Sequence, residues 1–420
     1  MTPKLITMLA NYNARTFRAD LLAGVTVAMV AIPLSIAIAI ASGATPESGL
    51  ITAIVAGFLI SALGGSRVQI GGPTGAFIVV VFGVIAEHGF DGLVLATFMA
   101  GIILVIAGYF RFGSLIRLIP EAVIDGFTIG IGVIIASSQL KDFFGLNIAE
   151  QPAEFLEKIP ALWEARDSLS LTATLAGLAT IVLITLLRRA APRLPGLVLV
   201  LALISGGAVW LSLPLETLAD RFGALPSHLP TPSLPRISFE RVIELLPSAL
   251  IIAFLAAVES LLSAMVSDRM IGGNHRPNAE ILAQGVANIG SALFAGLPAT
   301  GAIARTATNV NAGGQTPVAG LVHALTILLV LLLAAPLAGY LALPALAALL
   351  ILTAWNMTEP HKWRDHMAKP RADQALLLVT LVLTVLSDLT VAIGVGVALG
   401  LALRLHRGRK DAAKWTPPER

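Results

Sequence analysis

Nine long apolar runs dominate this chain, at residues 21–41, 48–64, 92–110, 172–187, 195–213, 247–266, 318–335, 340–355 and 374–403. About 20 apolar residues of helix cross the hydrocarbon core of a bilayer. Within that core only helices and closed barrels satisfy their own backbone hydrogen bonds. The alternation of barrel strands is missing from these runs. The chain therefore reads as an all-α polytopic membrane protein. Its 13% of charged residues is far below the quarter or so usual in a soluble domain.

What is missing narrows the function. There is no cysteine, hence no disulfide framework or thiolate chemistry. No His/Asp/Glu cluster has metal-ligand spacing, and neither a Ser-His-Asp arrangement nor a phosphate loop is present. An enzyme, a metal and a cofactor are not expected. The net charge is only +3, with no basic patch interleaved with aromatics, so nucleic acid is not a partner. The first 20 residues carry Lys4, Arg15, Arg18 and Asp20 without an h-region, so a cleaved signal is not expected.

The runs parse into fourteen segments, starting near 21, 48, 74, 91, 115, 171, 195, 247, 281, 303, 318, 338, 374 and 389. With both termini in the cytoplasm of a bacterial inner membrane, most of the 28 lysines and arginines fall on inner loops and tails. The stretch Glu150–Asp167 then makes an acid-rich outer loop. Seven is odd, so two sevens must be inverted relative to each other, the plan of many secondary transporters. Three echoes support the inversion. "GGPTGA" in segment 3 answers "GLPATGA" in segment 10, and "LIPEAVIDGFTIG" in segment 5 answers "LALPALAALLILTA" in segment 12. Segments 1 and 8 each end in a Gly/Pro break.

The repeated phrase has a physical reading. The apolar stretches after it, Thr74–Ile85 and Ala302–Val310, are too short to span: twelve helical residues rise about 18 Å. Each is a half-helix whose N-terminus lies near the midplane, where extended backbone must line a cavity or sit inside protein. Thr74 and Thr300 are natural caps, and Pro73 and Pro298 suit a helix entry. Two facing N-termini, with free N–H groups and positive dipole ends, form a central anion site carrying little formal charge.

With these residues the chain resembles the sulfate permease (SulP) family of anion transporters, which includes the animal anion exchangers and prestin. The likeness covers about residues 15–405. Its carriers are "RADLLAGVTVAMVAIPLSIAIAIASGATPESGL", "IPEAVIDGFTIGIGVIIASSQL" and above all "NAEILAQGVANIGSALFAGLPATGAIARTATNVNAGGQTPVAG". The resemblance implies a core domain (21–112 and 245–335), a gate domain (113–244 and 336–405), a cytoplasmic N-terminal segment (1–20) and a basic tail (406–420). It also implies an elevator-like movement of core against gate, within a homodimer. Two departures stand out: Leu34 follows Pro33 where the family often has Gln, and the chain stops at Arg420 without the cytoplasmic STAS domain of most members.

Glu259 lies mid-segment in "AFLAAVESLLSAMVS", where an ionised carboxylate normally faces a cavity. It would repel the anion that the half-helices attract, and protonation removes the repulsion. That is the charge logic of proton–anion symport, with Ser263 one turn on along the same face. The resemblance likewise puts the coupling acid in helix 8, and the bland reading is a Glu259–Arg305 pair. Arg305 is the only basic residue inside a segment and adds positive field in the family's helix-10 motif. The expected substrate site thus comprises Leu34, Ile38, Thr74, Gly75, Ala76, Phe77, Glu259, Gly301, Ala302, Ile303, Ala304 and Arg305, with Glu259 and Ser263 for the proton. Phe77 and Ile38 would form its apolar wall. A sodium site of Glu259, Ser263 and helix-10 carbonyls is an alternative. Glu121 and Asp125 are read as interface or hydrated residues, Asp388 as part of a capped turn and His323 as packing.

These features point to a secondary carrier of small anions (carboxylate or dicarboxylate, sulfate, bicarbonate), with a lean to carboxylates because Leu34 removes a polar contact. The alternatives are a uracil/xanthine-type nucleobase permease of the same fold and a channel-like or exchanging membrane protein.

Overall fold

A computed structural model describes residues 2–10, 12–113, 120–148, 152, 155–191, 195–387 and 389–407. Asp388, Arg117, Arg193, Glu150 and the tail beyond 407 lie outside these residues, as does the expected start of segment 5. The first half comprises a short helix α1 (Lys4–Leu9), then α2 (Ala14–Ala41), α3 (Pro46–Leu63), strand β1 (Gly71–Gly72), α4 (Ile78–Tyr109), α5 (Glu121–Phe144), α6 (Phe155–Glu164), α7 (Leu171–Ala190), α8 (Gly196–Trp210) and α9 (Leu218–Phe222). The second half comprises α10 (Phe239–Ile271), α11 (Pro277–Leu293), strand β2 (Thr300–Gly301), α12 (Ile303–Asn311), α13 (Val318–Ala338), α14 (Leu343–Met357), α15 (Trp363–Ala368), α16 (Arg371–Leu386) and α17 (Leu389–Arg407). Seven of the described helices are individually long and apolar enough to cross a membrane.

The halves repeat one another in local detail. α2 and α10 both end at a left-handed glycine, Gly43 (φ +73°) and Gly272 (φ +63°), a conformation glycine adopts without steric cost. α3 and α11 both open on proline, Pro46 and Pro277, where the missing N–H has no helical partner to lose. Segments 3 and 4 are the two limbs of α4, broken only at Gly89 (φ +69°, ψ 178°). Several boundaries differ from the sequence reading: α2 begins at Ala14 rather than near 21, α11 at Pro277 rather than 281, and α14 at Leu343 rather than 338. α10 begins at Phe239 rather than near 247, because the Ser238 hydroxyl caps the Arg241 N–H and Pro247 is absorbed within the helix.

Packing sorts the long helices into two groups. α2, α3, α4, α10, α11, α12 and α13 pack on one another, as do α5, α7, α8, α14, α16 and α17. Contacts between the groups run mainly through α2 with α8 and α14, and through α4 and the Gly75–Phe77 turn with α5, with lesser ones from α2 to α5 and from α10 to α17.

The crossover between β1 and β2

The two copies of the repeated phrase meet. Gly71 pairs with Gly301 and Gly72 with Thr300 in an antiparallel ladder, and the Ala302 N–H donates to the Ile70 carbonyl at 2.8 Å. A 3-10 turn, Gly75–Phe77, leads from β1 into α4, and α12 follows β2 directly. Both short helices therefore start from one central ladder.

Extended backbone at this depth needs partners, and buried polar side chains supply them. The Asn288 amide accepts from the Ala299 N–H at 2.9 Å and donates to the Ala299 carbonyl at 2.9 Å. The Asn309 Nδ2 donates to the Val68 carbonyl, and the Thr52 hydroxyl accepts from the Leu297 N–H at 2.6 Å. Glu280 is fully buried. Its Oε2 accepts from the Gly65 and Ser66 N–H groups at 2.8 and 3.1 Å, and its Oε1 from Ser260 and Gln284 at 3.0 and 2.9 Å. Sequence reasoning missed these residues. The signal was present: Glu280, Gln284 and Asn288 fall at i, i+4, i+8, a polar stripe down one face of a helix expected to span the membrane.

Candidate functional site

Around the ladder the expected site residues take distinct places. Thr74 does not cap: no side-chain cap bond forms at the Gly75–Phe77 turn. Its hydroxyl donates instead to Glu259 Oε2 at 2.7 Å, across from α10. Thr300 likewise does not cap, and donates to the Ala256 carbonyl, one turn earlier on the same helix, at 2.8 Å. A strand leading into each helix draws these side chains sideways to α10, which explains why a capping reading failed.

Arg305 is buried at 1% exposure. Its Nη2 donates to the Ser35 hydroxyl at 3.0 Å and to the Pro73 carbonyl at 3.1 Å. Its Nε and Nη1 have no hydrogen-bond partner among the described residues. It lies directly against Gly72, where a Cβ would collide with Nη1, so only glycine admits the guanidinium there. No carboxylate approaches it within 4 Å among the described residues, and the Glu259–Arg305 pair does not form. A buried cation without a counter-ion normally costs several kcal/mol, so this position favours an anion nearby.

Ile38 and Phe77, expected to form the apolar wall, are 2% exposed, Ala76 and Ala302 are buried, and Leu34 is half-buried. From the other helix group, Met357 and Ile135 close over Gly75. Ile303 and Ala304 are exposed on α12, and the Ser263 hydroxyl shares a hydrogen bond with Thr306 at 3.2 Å rather than with Glu259. Ser35 was not singled out from the sequence, yet it holds Arg305. His323 is buried with neither ring nitrogen bonded among the described residues, in line with a packing role. Asp125 and Glu121 are bonded by Lys369 at 3.1 and 3.5 Å, an ion pair joining α5 to the chain before α16.

Comparison with known proteins places these features in context. Residues 17–380 match the model of the sulfate permease family. The "Putative sulfate transporter YvdB" of Bacillus subtilis is 41% identical over 398 residues, covering 94% of this chain and 75% of that one. The bicarbonate transporter BicA of a Picosynechococcus species is 31% identical over 413 residues, 94% of this chain and 71% of its own. The solved transmembrane domain of a cyanobacterial BicA superposes with a TM-score of 0.81 at 29% identity, covering 92% of this chain and 98% of that one. SLC26A9 shares the fold, with a TM-score of 0.87 at 18% identity over 96% of this chain and 68% of that one.

Proposed function

Since the chain belongs to the sulfate permease family of membrane anion transporters, which are not enzymes, we propose that it is a proton-coupled secondary carrier of small anions. The substrate sits between the N-terminal ends of the α4 turn and α12. The observation that carries this reading is the uncompensated Arg305 behind a ladder from which both short helices start, with Glu259 held beside it by Thr74. Helix ends and a buried guanidinium bind negative charge without side-chain carboxylate or amide ligands.

Glu259 gives the coupling. Ionised, it repels the anion; protonated, it removes that repulsion and can donate to the anion or to Thr74. Anion and proton then load together. The walls of Leu34, Ile38, Phe77 and Ala302 offer few side-chain donors, which favours a single carboxylate-type group, as in bicarbonate or a small carboxylate, over a four-oxygen dianion. Residues 21–112 and 245–335 form a core that slides against a gate of 113–244 and 336–405 in a homodimer in the inner membrane. The movement carries the whole crossover past Met357 and Ile135.

Proteoliposomes given labelled bicarbonate, fumarate, succinate, chloride, sulfate and uracil, with and without an inward proton gradient, test it. Gradient-driven accumulation of one of the carboxylate-type anions is expected. Entry of uracil alone, or a non-saturating current, overturns the reading.

A further inference from the structure

A cavity of about 450 Å³ opens between the two helix groups at the Ala41 end of α2. It reaches in as far as Ile78, the residue after Phe77, so its floor adjoins the proposed central site. Phe82 lines one wall, Ser248 of α10 another, and α6 covers it with Lys158.

Lys158 is an unusual lysine. It is only 4% exposed, and among the described residues no carboxylate lies within ion-pair distance of it and no hydrogen-bond acceptor receives its ammonium. Its Nζ lies 6.0 Å from the centroid of the Phe82 ring, at the outer limit for a cation–π interaction. The other charges around the cavity are spoken for or open to water. Arg221 is held by Asp142 and Glu216 at 2.8 and 2.6 Å, Glu87 is largely exposed beside His88, and Lys141 is half-buried.

We infer that this cavity is a second anion subsite, with Lys158 as its ligand, which captures a small soluble oxyanion or carboxylate before it reaches the central crossover. Lysines are almost never fully buried unless paired, and burial pushes this ammonium below the ordinary lysine range. An anion in the cavity supplies a partner that the described residues do not. α6 is thereby more than a cover, because it brings a cation to the passage between the helix groups. The subsite uses the anion class of the proposed function, but its occupancy is independent of whether transport occurs.

The chain has no cysteine, so a single reporter thiol can be read cleanly. Ala41→Cys places one on the cavity wall, and Ser248→Cys provides a second reporter should the first variant fold poorly. Reaction rates are measured in detergent and in phosphatidylcholine nanodiscs, with a sulfonate-bearing and a trimethylammonium-bearing methanethiosulfonate. The backgrounds are Lys158, Lys158→Arg and Lys158→Gln. The expected result is an anionic-to-cationic rate ratio at least about threefold higher with Lys158 or Arg than with Gln. Added bicarbonate or sulfate should slow the anionic reagent only in the Lys and Arg backgrounds, in detergent and nanodiscs alike. Equal ratios in all three backgrounds overturn the inference, as does a thiol that reacts with neither reagent. Protection that appears only in nanodiscs would assign Lys158 to lipid headgroups and likewise overturn it. Glu259→Gln should leave the ratio unchanged, so a failure of transport coupling and a failure of the subsite read differently.

Discussion

The two copies of the repeated phrase each run from one ladder into a helix, but with the strand at a different place in the phrase and with different chemistry. Thr74 and Thr300 correspond, as do Gly75 and Gly301, and both threonines turn to α10. One reaches the carboxylate of Glu259 and the other the carbonyl of Ala256. Counting on from the glycines, Val79 stands where the second copy has Arg305. Inverted symmetry therefore supplies the opposed helix ends, and departures from it supply the ionisable groups. The first copy contacts Glu259, the proposed proton carrier, and the second brings the fixed cation.

The largest effect expected along this contrast is at Glu259, the proposed proton carrier. With Glu259, a proton gradient should concentrate a monoanion about tenfold per pH unit at one proton per anion. Glu259→Gln should abolish that accumulation while anion exchange at fixed pH continues, as measured by uptake against counterflow. Unaltered gradient dependence would remove Glu259 from the mechanism. The cation comes next. Arg305→Met should lower the transport efficiency about tenfold to a hundredfold, the size of a lost charged hydrogen bond. Val79→Leu at the corresponding place should stay within about twofold. Equal losses at the two positions would mean the copies are chemically equivalent after all.

Backbone space distinguishes the copies on a smaller scale. A Cβ at Gly301 would run into the Gln69 amide, itself fixed by Ser260 at 2.9 Å, whereas at Gly75 it would meet the flexible Met357 thioether at 3.1 Å. Gly301→Ala should cost about 1–3 kcal/mol and lower the thermal midpoint, and Gly75→Ala should cost less. The threonines test the same point through hydrogen bonds worth about 1 kcal/mol each. Thr300→Val should lower stability with the pH profile of uptake intact, and Thr74→Val should move that profile.

The smallest effect is at Lys369, far from the crossover. Burial lowers its pKa, but Asp125 and Glu121 more than offset this and hold it above the ordinary lysine value. A lysine so raised adds stability below its unfolded pKa of about 10.4 and loses it as the pH climbs past the folded value. Lys369→Met should therefore cost at most about 1 kcal/mol at neutral pH. The difference from the parent should vanish in strongly alkaline melts.

The segment count, the inversion and the meeting of the two half-helices were all legible in the sequence, because run length and Gly/Pro punctuation are local properties. The site was legible in its outline and not in its wiring. Arg305 and Glu259 stood out as charges in apolar helices, but which group each would face depends on packing between residues far apart in the chain. Hence the bland Glu–Arg pair could not be dismissed by reading alone, and Ser35, one hydroxyl among small residues, gave no signal. The capping reading failed for a related reason. Thr before Gly looks the same whether a helix or a two-residue strand follows. The stripe Glu280, Gln284, Asn288 was the most informative pattern left unread, since three polar groups on one helix face imply non-helical backbone to receive them.

The ladder also has a consequence for how the protein is made. Gly71 finds its partner Gly301 about 230 residues later, and at 5–20 residues per second the ribosome needs roughly 10–45 s to supply it. For most of that interval the Gly65, Ser66, Ile70 and Gly72 backbone groups have none of the Glu280, Ala302 and Thr300 partners that hold them in the finished molecule. The first half thus enters the bilayer with backbone groups whose partners are still to be made.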